Sequence, residues 1–541
     1  MLSRPADPWP HSHHELIDHY LAQQDEAIAS GYYQPFLYPW GAVSQLLVII
    51  YLLIPHQNRP WLKNCRYLVF ALLTAFATYT IVYTRARGLV PAMVIGLISS
   101  WTIVWTSALL VCNNAQTDFM RIERTQGVFG SDVLREKMKD HADASAETKE
   151  TNAANSIRED LVNGSSGPRE RHGEFAWQPY PLAPLIERLD WVLDVFYNFR
   201  GMGWNWRTSA LPPPPKSIQS QLRRNSSTRV PRHSYKAHSG QLKQYVLRAE
   251  LLRSNTWTLI KGYLMLDALK TVMMYDPYFW GYVHRPPPSH FPWVLTNSPV
   301  LTHTYRLFLS MLGIKYALQS VFCLPPLFFS GILSPSLLGA RAEPWMYPET
   351  WGPYSVVLDK GLAGWWGNWW HQTFRFAFQE PSRKLIELLG LHKTGAVAKA
   401  LQLFIAFFLS GFVHAIGSVT CVGDTDPLRG PMAFFLLQAV AMFAEQCLSQ
   451  AASAAGIGRN LPSWLIKGWK FVYVHVWFYW TAHLICNDFA KGGIWLLEPV
   501  PFSLLRGLGL GADEKDGWWN WGGQFVRWHS GDRWWRSGIA I

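Results

Sequence analysis

The stretch FFLSGFVHAIG, Phe407 to Gly417, sets a histidine, His414, inside a run apolar enough to lie in a bilayer. Residues three and four positions away share its helix face. Those residues are Ser410, Gly411, Gly417 and Ser418, all small, while Phe404, Phe407, Phe408 and Phe412 elsewhere in the run are bulky. The imidazole is expected to look into a notch, and an ionisable group at membrane depth usually faces a cavity or a partner. A neutral imidazole, with an ordinary pKa of about 6.5, accepts a proton at cell pH. That suits a general base drawing a proton from an alcohol. Small residues also let helices approach closely, and a buried histidine can simply bond a neighbour. This window alone carries both readings.

A second window is AGWWGNWWHQTFRFAF, Ala363 to Phe378. Its four tryptophans fit an amphipathic, cytosol-facing helix with indoles at the membrane boundary. Asn368, His371 and Gln372 offer hydrogen bonds to an entering polar group, and Arg375, Arg383 and Lys384 could meet phosphates. The plainer reading is an aromatic anchor with no part in chemistry.

Composition says what kind of scaffold holds these windows. Of 541 residues, 49% are hydrophobic and only 16% charged, against about 25% charged in soluble domains. There are 29 tryptophans, a residue favoured where one ring edge is dry and the other wet. Lys and Arg give a net charge of +12, and they cluster in loops between apolar runs. That favours an anionic membrane surface and phosphate-bearing small ligands over nucleic acid. The six cysteines are scattered with no CxxC pair, so neither a zinc site nor a disulfide framework is expected.

A spanning helix needs about 20 mostly apolar residues. Candidate spans are Leu37 to Ile54, Tyr67 to Tyr83, Leu89 to Val111, a weak one at Thr258 to Met274, Leu307 to Phe329, Val397 to Val419, Pro431 to Leu448 and Val472 to Cys486. The stretch from Ile494 to Gly511 reads as a ninth span or a surface segment. The runs lack the period-two alternation of a barrel, so the expected fold is all-α and polytopic, with about eight transmembrane helices. The first run starts near Phe36, later than a cleaved signal peptide would, so the first span is expected to be retained.

Three parts follow: membrane spans over 1–111, a polar loop over 112–255 and a second set of spans over 256–541. Within the loop, Lys137 to Gly173 has a disordered-linker composition. Leu185, Leu189, Trp191, Leu193 and Phe196 suit a short amphipathic helix at the interface, ending in a Gly-rich turn. Basic loop residues put the N-terminus outside, with the long loop and the Trp-rich window in the cytosol, although Arg85 and Arg87 count against it. The sequons at Asn163 and Asn225 then stay unglycosylated.

Other polar residues inside the spans have bland readings. Asp267 and Lys270, three apart on one helix, are expected to neutralise each other. Glu445 pairs with a base or lines a cavity. His475 and His483 lie two turns apart without further metal ligands in sight. There is no P-loop, Rossmann glycine cluster, HExxH or GxSxG.

Taken together, the Trp-rich window ending in Trp370-His371 and the later Ser410-Gly411-Phe412-Val413-His414 resemble the membrane-bound O-acyltransferases, most closely the wax-synthase-like branch. Trp366, Gly367, Trp370 and His371 match that branch's first motif. Trp365 stands for a Phe, and Asn368-Trp369 replaces an Arg pair. The segment Asn198-Phe-Arg-Gly-Met-Gly-Trp204-Asn-Trp206 resembles one in fungal members, which include O-acetyltransferases of terpenoids and meroterpenoids. The resemblance runs from about Leu185 onward. It implies a multihelix fold around a catalytic tunnel, His414 as the catalytic residue and His371 as its motif partner. It also implies acetyl-CoA as co-substrate with no permanently bound cofactor or metal. Donor contacts are expected from Asn368, Trp370, Gln372 and Arg375, and the acceptor is expected to be a lipophilic alcohol met in the bilayer, in the endoplasmic reticulum. A long-chain wax or sterol ester synthase and a non-enzymatic carrier are the alternatives.

Overall fold

The computed structural model describes residues 10–125, 173–225, 242–333, 335, 338–457, 461–521 and 526–541. Most of the expected linker, and Asn163, lie outside these residues. All eight apolar runs fold as helices. They are α1 (Val43–Leu53), α2 (Pro60–Tyr83), α3 (Leu89–Thr106), α4 (Arg248–Met273), α5 (Pro299–Pro325), α6 (Ala396–Thr420), α7 (Ala433–Ala454) and α8 (Ser463–Lys491). By length and composition, five helical stretches among the described residues are long and apolar enough to cross a membrane: Pro60–Tyr83, Leu89–Cys112, Pro299–Leu333, Ala396–Thr420 and Leu428–Ala454. The protein is an integral membrane protein. The first run is a shorter apolar helix. α4 and α8 are long enough, but charges such as Lys261, Asp267, Lys467 and Lys470 lower their hydropathy.

Local signals set the helix ends. Pro60 opens α2 and Pro299 opens α5, where the missing N–H costs nothing. Ser298 caps α5 by accepting from the Leu301 amide at 3.4 Å. β-structure is slight. One antiparallel pair joins Arg121–Arg124 to Phe175–Gln178, with Arg121 opposite Gln178. A three-stranded antiparallel sheet ties Leu37–Tyr38 to the C-terminal strands Gly538–Ala540 and Arg527–His529.

The expected helix is present as Leu185–Tyr197, and part of its apolar face packs inward. Trp191, Val192, Val195 and Phe196 are buried in the main core, while Leu185 is exposed. That core also holds Leu73 of α2, Trp105 of α3, Trp206, Phe376 and Val413 of α6. Burial against several helices at once removes more apolar area than one face on lipid headgroups would.

The Asp267–Lys270 pairing gives way to separate anchors for the chain beyond α8. Asp267 accepts from the amides of Leu504 at 2.9 Å and Leu505 at 3.2 Å, and from the Ser503 hydroxyl. Lys270 Nζ donates to the Trp495 carbonyl at 2.9 Å and stands 3.5 Å from Glu498. A carboxylate among several donors gains more than one pairing with a neighbour on its own helix. The Ile494–Gly511 stretch breaks into short turns and is not a ninth span.

α3 and α6 cross where side chains are smallest. A Cβ added to Gly96 would stand 2.6 Å from the Ile416 carbonyl and 3.0 Å from Gly417 Cα, and would overlap Thr420 Oγ1. Two of these contacts are backbone, so relief requires the helices to part. Gly96→Ala is expected to cost about 1–3 kcal/mol and to lower the unfolding temperature of the detergent-solubilised protein. Gly468→Ala, at a helical glycine with nothing within 4 Å, serves as the control and should hold or raise it. Equal melting of the two variants would contradict this account of the crossing.

Candidate active site

His414 lies in the second half of α6. Its Nδ1 is 2.8 Å from the Ser410 carbonyl oxygen. A carbonyl only accepts, so Nδ1 carries the ring proton and Nε2 keeps a free lone pair. Among the described residues nothing hydrogen-bonds Nε2, and the ring is only half-buried. It tilts over Phe435, with centroids 4.7 Å apart.

The small residues around it do a different job from the expected notch. A Cβ at Gly411 would meet Met432 Sδ at 3.0 Å and Phe435 Cβ at 3.3 Å, and one at Gly417 would meet Leu97 at 2.9 Å. The Ser418 hydroxyl donates to Asp488 at 3.1 Å. The glycines therefore bring neighbouring helices close to the imidazole, and those helices supply the walls.

His371 follows Trp370 at the end of the Trp-rich turn. Four rings surround it: Phe322 at 5.6 Å, Trp351 at 5.9 Å, Trp370 at 5.4 Å and Phe374 at 5.6 Å between centroids. Its Nδ1 is buried without a hydrogen-bond partner; Nε2 is not sealed in this way. Burial in this cage pushes its pKa down to about 3, helped by the charge that would sit on His414 and by the Arg200 guanidinium. His371 is neutral at cell pH. With Nδ1 walled off, the ring proton is best used at Nε2, so one imidazole offers a lone pair and the other an N–H.

The Trp-rich window packs its rings against other helices. Trp365–Trp369 forms a single π-turn in which Trp365 and Trp369 are buried. Trp366 meets Phe407 of α6 at 5.6 Å, and Trp365 meets Phe478 of α8 at 4.5 Å. The Trp366 indole donates to Gln438 at 3.4 Å and the Trp477 indole donates to the same oxygen at 3.0 Å. The turn is entered at Gly361, whose φ of +61° suits glycine. There Glu445 accepts from the amides of Leu362 at 3.3 Å and Ala363 at 3.1 Å, so Glu445 anchors the turn.

The four expected donor contacts differ in what they leave free. Gln372 is buried and donates to the carbonyls of Trp366 at 2.8 Å and Trp370 at 2.6 Å. Arg375 donates to Gln372 at 3.0 Å and to the Gly367 carbonyl at 3.2 Å. These two hold the turn together. Trp370 is half-buried between Trp351 and His371. Asn368 is half-buried and 3.4 Å from Lys360 Nζ. Of the basic residues expected near phosphates, Arg383 is engaged by Glu380 and by Asn113 at 2.9 Å, and Lys384 stands 3.7 Å from Glu387. His475 bridges the Phe471 carbonyl at 2.7 Å and the Tyr354 hydroxyl at 3.1 Å, while His483 lies against His303. Sequence reasoning missed Trp351, Phe322, Phe435 and Gln438, whose places in distant segments carry no local signal.

Residues 347–437, which hold both histidines, match the membrane bound O-acyl transferase family. The chain is similar to the O-mevalon transferase macI of Penicillium terrestre, 27% identical over 48% of this chain and 53% of the relative. It is also similar to the acetyltransferase ple2 of Rhodocybe pseudopiperita, 24% identical over 56% of this chain and 66% of the relative. A third relative is the acetyltransferase eriL of Hericium erinaceus, 28% identical over 27% and 37%. The chain thus spans only about a third to two thirds of the length of these curated relatives. No solved structure matches it.

The depressed pKa of His371 has a stability consequence. Between about pH 6.5 and 3 the unfolded chain binds this proton and the folded chain does not, so stability falls as the medium becomes more acidic. From pH 7 to 5 the loss from this residue is about 2 kcal/mol. His371→Phe should therefore lose less of its unfolding temperature than the unaltered protein over that interval. Parallel acid slopes would show that the cage does not hold the ring neutral.

Proposed function

We propose that this protein is an O-acetyltransferase of the endoplasmic reticulum membrane. It moves an acetyl group from acetyl-CoA to a hydroxyl of a lipophilic terpenoid or meroterpenoid. The observation that carries this reading is the His414 tautomer: a proton-bearing Nδ1 held by Ser410 and an accessible, unbonded Nε2. The acceptor O–H gives its proton to Nε2 as its oxygen bonds to the thioester carbonyl carbon. The carbon–sulfur bond then breaks, and the proton on His414 passes to the leaving thiolate. In this reading the His371 N–H steadies the transient oxyanion, with Asn368 a second donor beside the turn. Alignment of alcohol and thioester removes much of the entropic barrier, and the aromatic walls spare the thioester from water.

Fungal relatives named as acetyltransferases support the acetyl donor. The Penicillium terrestre relative's name favours one second reading, transfer of a mevalon group. Microsomes bearing the protein, given labelled acetyl-CoA and a panel of terpenoid alcohols, should form labelled ester. His414→Ala should reduce the rate by about 10²–10⁴-fold with the protein still present and folded. Undiminished transfer by that variant would remove His414 as the base. A preference for palmitoyl-CoA would move the protein to ester synthesis with long chains.

A further inference from the structure

The cationic groups packed around the Asn198–Trp206 segment divide into two kinds. Arg121 stands 2.7 Å from Asp190 and 3.1 Å from Asp194, Arg341 pairs with Asp190, and Arg124 pairs with Glu343. Each of these guanidiniums has a carboxylate. Arg200 and Arg207 have none among the described residues. Arg200 donates to the carbonyls of Pro348 at 3.0 Å and Glu349 at 2.8 Å, and its Nε is buried without a partner. Arg207 donates to the Leu211 carbonyl.

The segment's fold puts the two close together. Asn198 Oδ1 accepts from the Gly201 amide at 2.9 Å, closing a turn with φ of +72° at Gly201. A Cβ there would lie 3.1 Å from Arg207 Cα. The Thr208 amide reaches the Arg200 carbonyl at 3.5 Å. Phe199 packs on Phe374, which also touches His371, so the pair borders the acyl transfer site. Burial draws both guanidiniums down, Arg200 to about 10. At neutral pH they keep their charge, and it stays unbalanced.

Arg200 is tied through both terminal nitrogens to the Pro348 and Glu349 carbonyls. Two guanidiniums without carboxylates on one tight turn suit a phosphate or diphosphate, which offers several oxygens to forked donors.

We propose that Arg200 and Arg207 form the recognition site for the phosphorylated arm of the acyl donor. This rests on the donor being a CoA thioester, as in the proposed function. The sequence had pointed instead to Arg375, Arg383 and Lys384, which the fold commits to other contacts.

The test is binding to the full-length protein in detergent, with CoA and with pantetheine, which lacks the phosphates. Arg200→Gln and Arg207→Gln should each weaken CoA binding by about 10-fold or more and leave pantetheine unchanged. Arg200→Lys should retain part of the CoA affinity. Inorganic diphosphate should compete with CoA on the unaltered protein and lose that ability in the Gln variants. Equal weakening of CoA and pantetheine, or unchanged CoA affinity, would overturn the proposal. If Arg200→Gln fails to fold, because it loses the loop at Pro348, Arg207→Gln and Arg200→Lys decide by the same criterion. His414→Ala separates the two readings: it should bind CoA normally and lose transfer. Full transfer by that variant would sink the His414 mechanism and leave the arginine result standing.

Discussion

The hydrogen bond from His414 Nδ1 to the Ser410 carbonyl is the constraint on which the site depends. An imidazole inside an apolar helix cannot leave its N–H unpaired without loss. The carbonyl one turn back is available in every helix, so α6 solves this locally. The solution fixes the tautomer, and the tautomer fixes which nitrogen is basic. Everything else around the ring serves to keep that nitrogen open and dry.

The dryness comes from tryptophans and phenylalanines drawn from separate helices. Such a wall needs its indole N–H groups answered, because a buried donor without an acceptor is costly. Gln438 answers two of them at once. Gln372 performs the matching task for the backbone of the π-turn, and Glu445 does so at its entrance. Three polar side chains that look reactive in an apolar sequence thus act as fasteners for the aromatic wall. The same wall explains why His371 stays neutral: the cage that shapes the turn also strips the ring of water.

The most deeply buried cations are paired with carboxylates. Buried Arg121 and Lys270 have carboxylates beside them, as low dielectric demands. Arg200 and Arg207 have no carboxylate among the described residues, on a segment whose Phe199 packs against Phe374 beside His371. Their imbalance stands out only against the pairing of their neighbours.

Much of the architecture was legible beforehand. Apolar runs gave the eight helices, five of them in stretches of spanning length and hydropathy, because backbone groups in lipid must be satisfied within the segment. The lone His414 and the Trp-His pair marked the candidate site, because an ionisable group in an apolar run needs a reason. Tertiary contacts decided the rest. The Leu185–Tyr197 helix and the Trp-rich turn are amphipathic in sequence, and their buried apolar residues meet other helices. Asp267 and Lys270 are neighbours in sequence, yet each found a better partner in the segment after α8. The sequence alone determined which segments are helices and which side chains are costly to bury, since both are properties of the local chain. Only the tertiary structure decided which of those side chains are spent on fastening and which remain free, since that depends on partners hundreds of residues away.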